Sequence, residues 1–315
     1  MKDKNIDHRT PDILNIKEVE EYFNNLGFTV ISSSQPWRYV TGFLSNDKKE
    51  YFFKIATNTP LSERLNTEIE WEEIRDREDL QLYCNFPRIY KTGFYKDRLL
   101  YIIFDRVMGI PLANPSKNDD KSMKIFKNHI KDVIKIIHSI MSIDSDSMLP
   151  KDRNRDMSIA DFIVGSYKRF ISNMNNSIDV KSLEKIIEAG IPYITEAPAH
   201  CDFVPDHLFI GNDTKLYLID NEAFSLHYVK FYDLAYMYHR LYTKYCRPDI
   251  ANELLHIYIS EYPLSDKDIL AFKAILGSRI IGGFLDAEND KGLKGGTKIE
   301  MQLLLRANFE GGEII

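Results

Sequence analysis

His200, Asp202, His207, Asp220 and Glu222 fall in one short stretch, APAHCDFVPDHLFIGNDTKLYLIDNEAF. GNDT reads as a turn that lets Leu208–Ile210 pair with Leu216–Ile219. Pairing those strands brings the loop carrying Asp202 and His207 against the loop carrying Asp220. Carboxylates and an imidazole so gathered suit phosphoryl transfer. That chemistry needs one group to orient an attacking hydroxyl and others to hold magnesium against phosphate oxygens. Asp202 fits the first role. Asp220 fits the second, as a hard oxygen ligand. His207 would offer its ring to a second metal position or bond through water. A metal hydrolase would need a positioned water and a denser ligand set.

These residues need elements to carry them. Residues 14–25 read as a short amphipathic helix, and FTVISS, WRYVTGFL and EYFFKIA as strands, with SNDKK a hairpin turn. SERLNTEIEWEEIRDREDL reads as a helix capped by Ser62 or Thr59. FPRIYKTGFYKDRLLYIIFDRV supplies two further strands. After MGIPLAN the pattern turns helical. DDKSMKIFKNHIKDVIKIIHSIM reads as one amphipathic helix, and the chain after residue 222 as mostly helical until DAENDKGLKGG breaks the run. The expectation is an α+β bilobal fold, protein-kinase-like. It has a small β-rich N-terminal lobe (1–107) that binds nucleotide and a larger helical lobe (108–315) that carries catalysis and substrate binding.

HCDFVPDH resembles the catalytic loop of the aminoglycoside phosphotransferase and choline-kinase-like superfamily, which reads His-Gly-Asp, four residues, then Asn. Here Cys201 stands for Gly and His207 for Asn. LIDNEAF is similar to the family's second motif, and FYDLAYM to its Asp-Leu-Ala segment without the usual Gly-Asp-Pro. The resemblance implies a protein kinase-like bilobal enzyme that moves the terminal phosphoryl group of ATP or GTP, with Mg2+, onto a hydroxyl of a small molecule. It makes Asp202 the catalytic carboxylate, and Asp220 and His207 metal ligands. Glu222 becomes a substrate or supporting contact, while His200 and Asp233 hold the loop. It assigns Lys54 to the phosphates and Glu68, with Glu72 as alternative, to Lys54. Ser33 and Ser34 would cover the phosphates, and Phe104, Asp105, Arg106, Val107 and Met108 would frame the base. Tyr232, Tyr236 and His239 are placed near the acceptor. The acidic run Asp286, Glu288 and Asp290 would favour a cationic acceptor, which ranks an aminoglycoside, and so antibiotic resistance, ahead of choline, a sugar or another metabolite. A kinase-like protein that binds nucleotide without turnover is the non-enzymatic alternative.

Composition narrows the field. The 315 residues are 44% hydrophobic and 28% charged, with a formal charge of −6, so no general nucleic-acid footprint is expected. No apolar run reaches membrane-spanning length, and no Walker-type Gly-Lys-Ser/Thr occurs. The charged start lacks a secretory apolar stretch, and Cys84, Cys201 and Cys246 are widely separated. A cytoplasmic location and no obligate protein partner are therefore expected.

Overall fold

Alternation in EYFFKIA organises the first lobe. Tyr51, Phe53 and Ile55 point to one face of their strand, and Phe52, Lys54 and Ala56 to the other. In the computed structural model, residues 11–47, 49–114, 119–153, 155–174, 178–289 and 298–314 are described. The lobe contains α1 (Ile16–Asn25), β1 (Thr29–Ser34), β2 (Tyr39–Asn46), β3 (Lys49–Ala56), α2 (Thr59–Arg77), β4 (Ile89–Tyr95) and β5 (Leu99–Asp105). The five strands form an antiparallel sheet in the order β1-β2-β3-β5-β4. Lys96 and Asp97 both adopt positive φ (50° and 57°), which closes the β4–β5 hairpin with the twist the strands require.

Val19 and Phe23 of α1 cover one sheet face, over Val40, Leu44, Phe53 and Ile103. Leu61 and Leu65 of α2 cover part of the other, over Leu100, Ile102 and Phe104. The cap of α2 is Asn58, whose side chain accepts from the Leu61 N–H at 3.0 Å, and not Thr59 or Ser62. Extended backbone at Asn58 places its oxygen over the first turn, while Ser62 lies inside the helix and accepts from the Leu100 N–H.

The second lobe runs β6 (Gly109–Pro111), α3 (Asp120–Asn128), α4 (Ile130–Met141), α5 (Pro150–Arg153), α6 (Ile159–Asn173), α7 (Lys181–Gly190), β7 (Glu196–Ala199), β8 (Leu208–Gly211), β9 (Leu216–Leu218), β10 (Ser225–Val229), α8 (Tyr232–Thr243), α9 (Pro248–Glu261), α10 (Asp266–Asn289) and α11 (Ile299–Glu310). The single helix expected over 119–141 is two. At His129 the backbone tightens to an i→i+3 bond onto the Phe126 carbonyl. The stretch after residue 222, expected to be helical, begins with β10, paired antiparallel to β7. The buried carboxylate of Asp152 fixes that ladder, accepting from the Leu226 N–H at 3.0 Å and the Ser225 hydroxyl.

The backbone and the core join the lobes. The chain crosses between Asp105 and Gly109, and β6 then pairs with β8. Asn85 exchanges backbone bonds with β9, its N–H donating to Leu216 at 2.8 Å and its carbonyl accepting from Leu218 at 2.9 Å. Trp71 of α2 stacks on Phe224 at 3.8 Å, and both Trp71 and Ile74 belong to the core of the second lobe. No helix among the described residues is long and apolar enough to cross a membrane.

Candidate active site

Pairing of β2 and β5 on either side of β3 holds Lys54 in the middle of the sheet, on the face that α2 covers. Its ammonium donates to Glu68 Oε1 at 2.7 Å and to Asp220, and lies 3.9 Å from Glu222 Oε2. Lys54 and Glu68 are 7% and 3% exposed, so neither charge is left to solvent. Burial pulls the Lys54 ammonium down, but Asp220, Glu68 and Glu222 outweigh it and hold it well above its ordinary value. Glu72 accepts from the Ile89 N–H instead and is not the lysine's partner.

Arg64 stands one turn before Glu68 and donates to Glu222 Oε1 at 2.8 Å. Sequence reading passed over it, although the i, i+4 spacing puts Arg64 and Glu68 on one helix face. Half-buried Arg38 sits close enough for burial and the Arg64 charge to lower its guanidinium.

The loop after β7 is shaped by an aspartate. Asp233 accepts the N–H of His200 at 2.7 Å and of Cys201 at 2.9 Å. Those two bonds hold Cys201 at φ 65°, the left-handed region where the resembled motif has glycine. The start of α8 is bent the same way, with Phe231 at φ 69°. His200 is fully buried, edge-on to Phe203 and Phe224, with the Ile219 backbone beside its ring. It supports the loop by packing and by its backbone N–H. Burial, with His207 close by, holds its imidazole down to about 4.

His207 Nδ1 donates to the Asp202 backbone carbonyl at 2.9 Å, which turns Nε2 toward Asp220 Oδ2 at 3.5 Å. Burial lowers the His207 ring, but Asp202, Asp220 and Asp206 outweigh it and raise it. Asp220 is itself left-handed (φ 67°, ψ 54°). Burial raises its carboxyl, and Lys54 and His207 outweigh that and bring it well below the carboxylate range. Ligand atoms of Asp202, His207 and Asp220 lie within 4.8 Å of one another, as do those of Glu68, Asp220 and Glu222. Lys54 and Arg64 already claim Glu68 and Glu222, so the first trio is the candidate cation site. Two carboxylates, each partly open to solvent, fit Mg2+.

On the far side of Asp202, the Tyr236 hydroxyl donates to its Oδ1 at 3.1 Å, and Tyr232 stacks on Tyr236 at 5.9 Å. His239, expected nearby, is fully buried and pairs with Gln302 at 2.9 Å. Of the acidic run, Asp286 lies 4.0 Å from Arg240; the Glu288 side chain and Asp290 lie outside the described residues.

A cleft of about 380 Å³ opens between the lobes above Lys54 and Asp220, lined by Phe43, Phe52, Phe104, Val107, Phe209 and Ile219 among others. Asp105 pairs with Lys49 at 2.8 Å, and Arg106 with Glu50. The Met108 carbonyl accepts from the Asn212 N–H at 2.7 Å. Among the described residues Val107 makes no backbone hydrogen bond. Ser33 points to the α1 face and donates to Glu20 at 2.5 Å. Ser34, opposite Thr41, is on the cleft face but outside the lining.

No protein-family profile matches the chain, and no curated protein matches it. Solved structures do. Aminoglycoside phosphotransferase APH(4)-Ia superposes with a TM-score of 0.67 at 12% identity, over 95% of this chain and 99% of that one. The GDP and kanamycin complex of APH(2")-IIIa gives 0.62 at 14%, over 94% and 99%. Choline kinase LicA from Streptococcus pneumoniae gives 0.55 at 16%, also over 94% and 99%. The chain therefore has the bilobal fold of the aminoglycoside phosphotransferases and choline kinase.

Proposed function

We propose that this protein is a magnesium-dependent small-molecule kinase that moves the terminal phosphoryl group of ATP or GTP to a hydroxyl. The observation that carries this reading is the assembly across the cleft. A buried lysine is clamped between Glu68 and Asp220, and a second carboxylate, Asp202, stands on the other side of the candidate cation site. Fold likeness to kinases supports it.

In this reading residues 1–107 hold the nucleotide. The base enters the apolar slot of Phe43, Phe52 and Phe104, against the free backbone of Val107. Lys54 holds phosphate oxygens while Glu68 keeps its ammonium in place. Asp220, with His207, would hold Mg2+, which supplies charge neutralisation on the phosphates. Residues 108–315 carry the rest. Asp202 orients the acceptor hydroxyl and accepts its proton as the oxygen attacks in line. Tyr236 holds that carboxylate in place.

The test is a panel of aminoglycosides, choline, sugars and hydroxy acids offered with ATP or GTP and Mg2+, with product masses measured. One added phosphoryl group on a panel member supports the reading. Failure of both nucleotides to bind with Mg2+ in calorimetry would remove it.

A further inference from the structure

Beyond Asp202 three tyrosine rings stand in a row. Tyr228 meets Tyr232 edge-on at 4.8 Å, and Tyr232 stacks on Tyr236 at 5.9 Å. Cations line this ladder. Lys151 Nζ sits 3.9 Å from the centre of the Tyr228 ring, Arg279 4.6 Å from that of Tyr236, and Arg240 5.0 Å from the same ring.

Their partners differ. Arg240 donates to the Tyr236 hydroxyl at 2.9 Å and reaches Asp286 at 4.0 Å. Arg279 and Lys151 have no carboxylate within ion-pair distance among the described residues, and the Arg279 Nε is buried without a hydrogen-bond partner. Arg279 therefore has a ring face and Asp286 close by but no ion pair or hydrogen bond of its own among the described residues, and an incoming anion would supply one. Asp286, the expected attractor of amines, is already offset by Arg240 and Arg279 close by.

We infer that the acceptor carries an anionic group, a carboxylate or a phosphate, which Arg279 and Lys151 take up along the tyrosine ladder while its hydroxyl faces Asp202. This rests on the kinase reading and names its substrate class. Planar guanidinium donors match carboxylate and phosphate oxygens, and the tyrosine rings suit the carbon skeleton between anion and hydroxyl. A polyamine placed here would meet Arg279 and Lys151 at close range, so the same residues select against an aminoglycoside.

The experiment uses the full chain saturated with Mg2+ and ADP, and calorimetric titration with matched compounds: glucuronate, glucose 6-phosphate, glucose and glucosamine, then glycerate and glycerol, with kanamycin as the polycation. The anionic members should bind more tightly than their neutral and amino counterparts. Arg279→Gln should weaken the anions by about 10–100-fold, the usual worth of a hydrogen bond to a charged group, with neutral members little changed. Arg279→Lys should recover part of the loss. Comparing glucuronate with glucose 6-phosphate distinguishes the two anion chemistries. The proposal is overturned if no anion outbinds its counterpart, if amines bind better, or if Arg279→Gln leaves the anion preference intact. Nucleotide affinity, measured first in the same samples, reports on the kinase reading separately: its loss sinks that reading, and its retention with an amine preference sinks only this one.

Discussion

Lys54 and Asp220 are 166 residues apart in the chain and share a hydrogen bond across the cleft. One comes from the middle of the first-lobe sheet and the other from the loop after β9. The bond joins the lobes at the point where phosphate oxygens would sit, so bound nucleotide must insert itself into a hydrogen-bonded network already in place.

Lys54→Met would leave Glu68 buried without its cation. The expected loss is about 3–5 kcal/mol, the usual cost of breaking a buried pair from one side. Adding Glu68→Leu should return much of it. Denaturant midpoints for the two single variants and the double give the coupling, and strictly additive losses would show that the pair is not a unit.

Asp202→Asn keeps the shape of the side chain and its contact with Tyr236 while removing the charge. Single-turnover transfer should fall by about 10²–10⁴-fold, with nucleotide affinity changing far less. An unchanged rate in the folded variant would take Asp202 out of the chemistry.

Cys201 at φ 65° makes a backbone prediction. Cys201→Gly relieves the left-handed strain while adding unfolded-state freedom, so its stability should stay within about 1 kcal/mol of the parent. Cys201→Val, β-branched at the same φ, should cost about 2 kcal/mol more than Gly. Thermal unfolding of the two variants side by side decides it.

Two buried groups give opposite pH slopes. His200 is held down to about 4 by burial, below its unfolded value near 6.5, so the unfolded chain binds the extra proton between those values. That contribution to stability is full above pH 6.5 and lost as pH falls toward 4. Burial raises Asp233 to about 7, against the pull of its two backbone N–H donors, so the folded chain keeps a proton that the unfolded one releases near 3.8. Stability from this group falls as pH rises from 4 to 7. His200→Gln should therefore make stability decline more steeply with rising pH than in the parent, and Asp233→Asn should do the reverse. Parallel curves for parent and His200→Gln, from urea titrations between pH 4 and 7.5, would contradict the assignment.

Side-chain placement was legible where short-range pattern determines it. Alternation in EYFFKIA put Lys54 opposite Phe53, and the GNDT turn set the β8–β9 register, Leu208 facing Leu218, that brings Asp220 to His207. Long-range pairings were not legible. The β7–β10 ladder depends on Asp152, contributed from far upstream, and nothing local in SLHYV announces it. Ser33 shows how little separates two readings: a one-residue step along β1 changes the face, so Ser33 meets Glu20 while Ser34 looks toward the cleft. The ring stack of Tyr232 on Tyr236 follows from i, i+4 spacing, as does Arg240 over Tyr236, but Arg279 comes from α10 and Lys151, over Tyr228, from α5.

The stacking of Trp71 on Phe224 bears on regulation. The helix that supplies Glu68 is seated in the core of the opposite lobe, and swinging it outward would uncover a tryptophan whose loss from a core costs about 3–5 kcal/mol. Glu68 therefore cannot be withdrawn cheaply from Lys54 by an upstream signal acting on that helix. The lysine–glutamate pair is thus a standing part of the cleft rather than one assembled on demand.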